Sequence, residues 1–151
     1  MSPGFLQILL NNGCRFLSLS KARIFEGHIF DNFLNKPTKL RYLNLSDLPG
    51  YFSSRTSTKL LEFCFSLEKL SLQKLHLTSP LVDSICFQNG KSLKVLDLSS
   101  CSLGNNPEES RNRLDLIVKN CVELKELNLS DTRLSEDSLA FLASNLTPKV
   151  S

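Results

Sequence analysis

The sequence predicts a single α/β domain over residues 1–151, built as a solenoid in which short parallel strands alternate with helices. The segment LKVLDLSSCSL, residues 93–103, places leucines on one face of a short strand. Four similar segments occur at nearly regular intervals along the chain. A strand and helix unit of this kind cannot bury both of its apolar faces alone. We therefore expect the copies to stack, with the strands on the concave side and the helices on the convex side.

Each copy is centred on a leucine that is followed by a second leucine two residues later. The spacing L-x-x-L-x-L-x-x-N/C-x-L is the signature of a leucine-rich repeat. The five central residues are Leu17, Leu43, Leu70, Leu96 and Leu127, at intervals of 26, 27, 26 and 31 residues. Because side chains two apart along a strand point to the same face, the leucine pairs should form the core of the sheet. We place the five extra residues of the last interval in the strand-to-helix loop at 103–106.

Helix signals occupy the segments between the strands. Gly27 to Asn35 and Ser57 to Phe65 carry apolar residues at helical spacing. An N-cap followed by a proline is predicted at Ser79 and again at Asn106, and carboxylates follow Ser135 in the first turn of the last helix. The predicted buried stripes are Ile29, Phe30, Phe33 and Leu34; Leu60, Leu61, Cys64 and Phe65; Leu81, Val82, Ile85 and Cys86; Leu114, Ile117, Val118 and Cys121; and Leu139, Phe141 and Leu142.

Composition and charge argue against several classes of partner. The chain is 41% hydrophobic and carries 18 basic and 15 acidic residues, a net charge of +3, with the basic residues scattered along it. This pattern predicts no nucleic-acid partner. The apolar run from Phe5 to Leu10 is short and has no preceding basic residue, so we expect neither a signal peptide nor a membrane span. Both ends interrupt the repeat pattern, and we expect the chain to be an excerpt of a longer receptor.

The five cysteines do not form a C-x-x-C pair and are widely separated at leucine-type or helix positions, which predicts no metal site. The two histidines, His28 and His76, have no partner that would create a nucleophile and base pair. We therefore expect no cofactor and no enzymatic activity. Unpaired cysteines without an export signal favour a reducing compartment, the nucleus and cytoplasm.

In two copies, EFCFSLEKL and KNCVELKEL, a cysteine stands three residues before the first leucine. Together with the long segments SLEKLSLQKLHLTSPLVDSICFQNGKSLKVLDLSSC and NCVELKELNLSDTRLSEDSLAFLASNLTPKV, this resembles the cysteine-containing repeats of F-box proteins. The resemblance covers most of the chain and is best from Leu40 onward. This sequence contains no F-box pattern.

The resemblance implies a substrate receptor of a cullin-RING ubiquitin ligase. Its partners would be the ligase adaptor, bound through an F-box, a phosphorylated cell-cycle inhibitor and a small cyclin-kinase-subunit protein. The alternative is a generic leucine-rich-repeat scaffold, or a protein similar to ribonuclease inhibitor, unrelated to ubiquitin.

The candidate binding surface is the strand face opposite the leucines. Leucine-rich solenoids commonly bind proteins there because the surface is broad and rigid. The candidates are Phe16, Ser18, Tyr42, Asn44, Lys69, Ser71, Gln73, Val95, Asp97, Ser99, Glu126 and Asn128. Phe16 and Tyr42 are the least typical of a solvated face, since exposed aromatics favour interfaces. The alternative is that the polar members are only solvated strand residues.

Overall fold

The computed structural model describes residues 3–22, 36–48 and 52–145. Within these ranges the elements are α1 Pro3–Asn11, β1 Phe16–Ser18, β2 Tyr42–Asn44, α2 Phe52–Leu61, β3 Lys69–Ser71, α3 Ser79–Asn89, β4 Val95–Asp97, α4 Pro107–Asn120, β5 Glu126–Asn128 and α5 Glu136–Asn145. The helix predicted at 27–35 lies outside the described residues.

The five strands form one parallel sheet in the order β1-β2-β3-β4-β5. Each central leucine is in register with the next, from Leu17 on β1 to Leu127 on β5. Neighbouring helices pack against each other in sequence order from α2 to α5. The predicted fold class, an α/β leucine-rich-repeat solenoid, is therefore confirmed.

The leucines of the strands form the centre of the core. Leu43, Leu70 and Leu96 are buried, as are the leucines two residues after them. Leu127 on β5, an outer strand paired on one side, is only partly buried, whereas Leu17 on the other outer strand, β1, is buried. Core burial therefore decreases toward β5.

The turn that follows each strand repeats the same backbone conformation. Four residues after each central leucine the backbone is left-handed, with φ of 59°, 59°, 63°, 57° and 57° at Lys21, Asp47, Lys74, Ser100 and Asp131. This conformation costs a non-glycine residue about 1 kcal/mol or more. Four of these residues donate their N–H to the next repeat: Lys21 to Ser46 O (3.2 Å), Asp47 to Gln73 O (2.9 Å), Lys74 to Ser99 O (3.2 Å) and Ser100 to Ser130 O (2.8 Å). We call this set of hydrogen bonds the turn ladder.

A buried asparagine connects the end of α3 to the segment that precedes β3. The Oδ1 atom of Asn89, the last residue of α3, accepts a hydrogen bond from the Leu67 N–H at 3.1 Å. The Ser92 hydroxyl donates to the Leu67 carbonyl at 2.7 Å. Both polar groups of the Leu67 backbone are therefore satisfied by side chains from the stretch in which the chain leaves α3 and approaches β4.

Two predicted helix starts are confirmed and one is wrong. The Asn106 side chain accepts from the Glu109 N–H at 2.9 Å, and Ser135 accepts from the Ser138 N–H at 3.2 Å. At α3 the N-cap is Thr78 rather than Ser79, because the Thr78 hydroxyl accepts from the Leu81 N–H. The helix therefore begins one residue earlier than predicted.

The extra five residues of the last interval do not all lie in the loop. Between β4 and α4 there are nine residues, 98–106, whereas between β3 and α3 there are seven, 72–78. Helix α4 has 14 residues and α3 has 11. Two of the extra residues therefore lengthen the loop, and three extend the helix by almost one turn.

Among the described residues of the predicted helix stripes, two are exposed, and Phe141 is only partly buried, with Arg111 5.2 Å from its ring centroid. Phe65 is 49% exposed, because α2 ends at Leu61 and the chain leaves helical geometry before reaching it. Leu139 on α5 is 53% exposed, whereas Leu142 is buried. The structure also contains a helix that the repeat pattern did not predict, α1, which packs through Leu6.

Candidate functional site: the open sheet face

The strand face opposite the leucines is lined by two rows of side chains. The first row precedes the central leucines and the second follows them. They are Phe16, Tyr42, Lys69, Val95 and Glu126 in the first row, and Ser18, Asn44, Ser71, Asp97 and Asn128 in the second. Together they line a groove of about 570 Å³, which we call the open sheet face. The structure therefore brings ten of the twelve candidate residues together.

The two aromatic residues stack at the β1 end of this groove. The rings of Phe16 and Tyr42 are nearly parallel, at 8°, with their centroids 4.5 Å apart. Phe16 is 67% exposed. Large exposed aromatic rings on a rigid surface are favoured contact residues in protein interfaces, because they lose little conformational entropy on binding.

Three side chains of the second row face the groove and also form hydrogen bonds to the turn that follows their strand. The side-chain oxygens of Asn44, Asp97 and Asn128 accept from the backbone N–H two residues later, at 2.9, 2.9 and 3.0 Å. Such bonds stabilise the turn in the same way in these three repeats. These three side chains therefore have a structural role that the sequence did not predict.

Two candidates do not line the groove. Ser99 is only 9% exposed, and its hydroxyl donates to Asp97 Oδ1 at 2.7 Å, so its predicted place on the open sheet face is corrected. Gln73 also lies outside the groove and donates its amide to Asp97 Oδ2 at 2.8 Å. Ser46, which occupies the equivalent position in the second repeat, is buried as well.

Asp97 is the centre of this polar network. Partial burial raises the pKa of its carboxyl, but hydrogen bonds from the Ser99 N–H and hydroxyl and from Gln73, together with the Lys69 charge, lower that pKa below its ordinary value on balance. The carboxylate is therefore ionised at neutral pH. It places a fixed negative charge on the β4 side of the groove.

A row of charged residues that was not predicted directly precedes, in sequence, the first row of groove residues. It occupies the position two residues before each central leucine and consists of Arg15, Arg41, Glu68, Lys94 and Lys125. Glu68 pairs with Arg41 at 3.2 Å and with Lys94 at 3.9 Å. We call this the rim row. Comparing the same position in all five repeats would have revealed it.

Four of the five cysteines are buried in the core. Burial raises the pKa of the Cys64 and Cys101 thiols to about 11, although hydrogen bonds partly offset the effect. Cys86 and Cys121 form a buried pair in which the hydrogen bond between them and burial raise the pKa of Cys86. Across the described ranges, no group of three or more histidine, cysteine, aspartate or glutamate side chains is arranged to hold a metal ion.

A second groove, of about 640 Å³, lies between the loops that lead into α4 and α5. Its lining includes four serines and two asparagines, together with Cys101, Asp131 and Arg133. It contains neither a cysteine thiolate nor a histidine that would activate a serine. None of the helices in the described part of the chain combines the length and apolar character needed to cross a bilayer.

Comparison with known proteins agrees with this architecture. Residues 92–119 match the family described as Leucine Rich Repeat. The matched segment contains β4 and most of α4, which is one strand and helix unit. No curated protein and no solved structure gives a significant match to the chain.

Proposed function

Since the chain is a leucine-rich-repeat solenoid, we propose that it is the recognition module of a ubiquitin-ligase substrate receptor. Leucine-rich-repeat proteins generally bind proteins and serve as scaffolds rather than enzymes. More specifically, we propose that it is one of the F-box receptors of cullin-RING ligases, such as the S-phase kinase-associated F-box protein. This proposal is supported by the resemblance of the cysteine-containing repeats to those of F-box proteins.

The observation that carries the recognition role is the stacked pair of Phe16 and Tyr42 on the open sheet face. Ten side chains from five strands are held in one register, so a partner meets a preorganised surface. Phe16 remains 67% exposed although its ring stacks on Tyr42. A partner that covers this ring would bury further apolar surface.

The proposed partners follow the resemblance. The ligase adaptor would bind through an F-box elsewhere in the protein, and a phosphorylated cell-cycle inhibitor would be presented together with a small cyclin-kinase-subunit protein. The proposed locations are the nucleus and cytoplasm. The four buried cysteines fit a reducing compartment, where free thiols persist.

The test is to tag the gene product at its own locus and purify it from cells treated with a proteasome inhibitor. We expect the adaptor and a cullin to copurify, along with ubiquitin-conjugated proteins. A version carrying Phe16→Ala should retain the adaptor and lose the conjugated proteins. Phe87→Ala is the matched control, because Phe87 is 69% exposed but lies on helix α3, away from the groove. Absence of both adaptor and cullin would reject the ligase assignment.

The second candidate function is a general protein-binding scaffold. It is favoured by the match of residues 92–119 to the broad Leucine Rich Repeat family. The same purification distinguishes a general scaffold from a ligase receptor. A scaffold would capture a protein that depends on Phe16, with neither adaptor nor cullin present.

A further inference from the structure

Two asparagines of the chain are followed directly by glycine, at Asn12–Gly13 and at Asn89–Gly90. In such a pair the backbone nitrogen of the glycine can attack the side-chain carbonyl carbon of the asparagine, because the glycine has no Cβ that hinders the approach. The attack requires a backbone nitrogen that can turn toward the side chain. The structure places the two pairs in different surroundings.

The Asn12–Gly13 pair lies at the exposed end of α1. Asn12 directly follows the helix, and its side chain is exposed. Gly13 has a left-handed backbone with φ of 79°, and its N–H donates to the Leu10 carbonyl at 3.4 Å. This hydrogen bond is longer than those donated by its neighbours Asn12, at 3.0 Å, and Cys14, at 3.1 Å. Because helix ends fray, the Gly13 nitrogen is released when the last turn of α1 opens.

The Asn89–Gly90 pair is buried at the end of α3. The Gly90 N–H donates to the Cys86 carbonyl at 3.2 Å, and the Asn89 Oδ1 atom accepts from the Leu67 N–H at 3.1 Å. A Cβ added to Gly90 would lie 2.6 Å from the Asn120 carbonyl oxygen, so the end of α4 packs closely against this glycine. Release of the Gly90 nitrogen therefore requires the end of α3 to leave the core.

Asn120 separates the effect of the glycine from the effect of the helix end. The Nδ2 atom of Asn12 donates to the Ile8 carbonyl at 2.8 Å, and the Nδ2 atom of Asn120 donates to the Leu116 carbonyl at 2.8 Å. Both side chains thus reach back one turn at the end of a helix. Asn120 is followed by a cysteine, whose Cβ hinders the attack. Among Asn12, Asn89 and Asn120, only Asn12 combines an exposed side chain with a following glycine.

We propose that Asn12–Gly13 is a site of spontaneous modification, at which the chain converts to aspartyl and isoaspartyl forms. The Gly13 nitrogen forms a bond to Asn12 Cγ, and the bond from Cγ to Nδ2 breaks. The side-chain nitrogen leaves as ammonia with the proton of the Gly13 nitrogen, and a five-membered imide remains. Water then opens the imide. Addition of water at Cγ gives aspartate, and addition at the main-chain carbonyl carbon gives isoaspartate, so that solvent water is the co-reactant.

The modification should weaken the end of α1. A carboxylate does not donate a hydrogen bond, so the Ile8 carbonyl loses its bond from Nδ2. The new negative charge also lies at the negative end of the helix dipole. Isoaspartate adds one carbon to the main chain and so displaces the N–H groups that follow it from their acceptors in α1. Because α1 contributes Leu6 and Leu10 to the core, its loosening should lower the stability of the folded chain.

The test is to incubate the purified chain in mildly alkaline buffer and to follow each asparagine by peptide mass mapping. We expect Asn12 to convert at least about tenfold faster than Asn89 and Asn120, because opening a helix end costs less free energy than opening the core. In urea that unfolds the chain, Asn89 should accelerate to the rate of Asn12, whereas Asn120 should remain slow. An isoaspartyl methyltransferase supplied with S-adenosylmethionine should methylate the aged chain at residue 12.

Variants connect the chemistry to the structure. Asn12→Gln should abolish methylation at this residue, because a glutamine side chain would have to form a larger and slower ring. Asn12→Asp reproduces the aspartyl product and should melt at a lower temperature than the parent chain. Asn112→Asp is the matched control, because it adds the same charge at an exposed position within α4 and should have less effect. Circular dichroism verifies that each variant is folded.

Equal conversion rates of Asn12 and Asn89 in the folded chain would overturn the inference. The same holds if Asn12 stays unmodified until urea unfolds the chain, because the folded structure would then protect both pairs. A melting temperature of Asn12→Asp equal to that of the parent would contradict the loosening of α1.

Discussion

Asn89 is a polar residue of the core that connects the end of α3 to the segment before β3. It is fully buried, and its Oδ1 atom is the acceptor for the Leu67 N–H. Its Nδ2 atom has no hydrogen-bond partner among the described residues. The side chain thus accepts from the Leu67 N–H, while its own Nδ2 group is buried without an acceptor.

Replacing Asn89 with alanine should destabilise the fold by about 1–2 kcal/mol. The Leu67 N–H would lose its acceptor in the core, and the removal of the unpaired Nδ2 offsets part of that cost. Urea denaturation monitored by circular dichroism measures the change. Asn112→Ala, on an exposed position of α4, is the control and should have almost no effect. Equal midpoints for Asn89→Ala and the parent chain would contradict the role of this residue.

Asp97 should make stability depend on pH in the acid range. Its pKa in the folded chain is below the ordinary value near 3.9. The stabilisation is therefore present above that value and is lost as pH falls through the folded pKa. Asp97→Asn keeps a turn-supporting oxygen, as Asn44 and Asn128 do in their repeats. The variant should melt at a lower temperature than the parent at pH 7.

The difference between the two melting temperatures should shrink as pH falls below about 3.9 and vanish below the lowered pKa of folded Asp97, where both chains lack the charge. Asp83→Asn, on an exposed position of α3, is the matched control. A difference in melting temperature that stays constant from pH 7 to the acid range would show that charge is not the cause.

The directions of most groove side chains could be predicted from alternation along the strands, and the exceptions have one physical reason. Each strand is only three residues long, from the position before the central leucine to the position after it. Alternation predicted Tyr42 and Asn44 correctly. It failed at Ser99, because that residue is beyond the strand end, in the turn that leads to the left-handed Ser100.

At the scale of elements, a sequence predicts a helix start well when only one side chain can cap it. Asn106 is followed directly by a proline, so the cap was identified correctly. Before α3 the chain reads Thr-Ser-Pro, and either hydroxyl has suitable chemistry. The choice of Thr78 depends on the path of the preceding turn. The length of an insertion likewise does not predict how many of its residues become helical. Helix α4 has 14 residues and α3 has 11, so three of the five extra residues became helix.

The central strand should be more sensitive to truncation than the outer strand. Leu96 is fully buried between β3 and β5, so Leu96→Ala should cost about 2–5 kcal/mol. Leu127 occupies the same position on β5 but is only partly buried, so Leu127→Ala should cost less. Chemical denaturation of both variants measures this order. An equal or reversed order would contradict the central placement of Leu96.

At the scale of the whole molecule, the core contains four of the five cysteines, which makes thiol chemistry a measure of global folding. Cys14 is partly exposed, whereas Cys64, Cys86, Cys101 and Cys121 are buried. The pKa values of Cys64 and Cys101, near 11, also keep their thiolate fraction small at neutral pH. The sequence predicted that these cysteines are structural. Their hydrogen bonds, such as Cys101 to the Leu72 carbonyl at 2.9 Å, needed the structure.

An aromatic disulfide reagent at neutral pH should therefore modify one thiol quickly and four slowly. Absorbance of the released thiolate gives both rates. Cys14→Ser should remove the fast phase and leave the slow one unchanged. Two or more fast thiols in the folded chain would contradict the burial of the other four.

The turn ladder has a consequence for amide hydrogen exchange. Each N–H of the ladder is protected by a carbonyl of the following repeat rather than by its own. The exchange rate at one repeat therefore reports whether its neighbour is docked. If the last repeat opens alone, the Ser100 amide should exchange while the Lys74 amide remains protected. Read in order from Lys21 to Ser100, four amides give the free energy of undocking at each successive boundary of the solenoid.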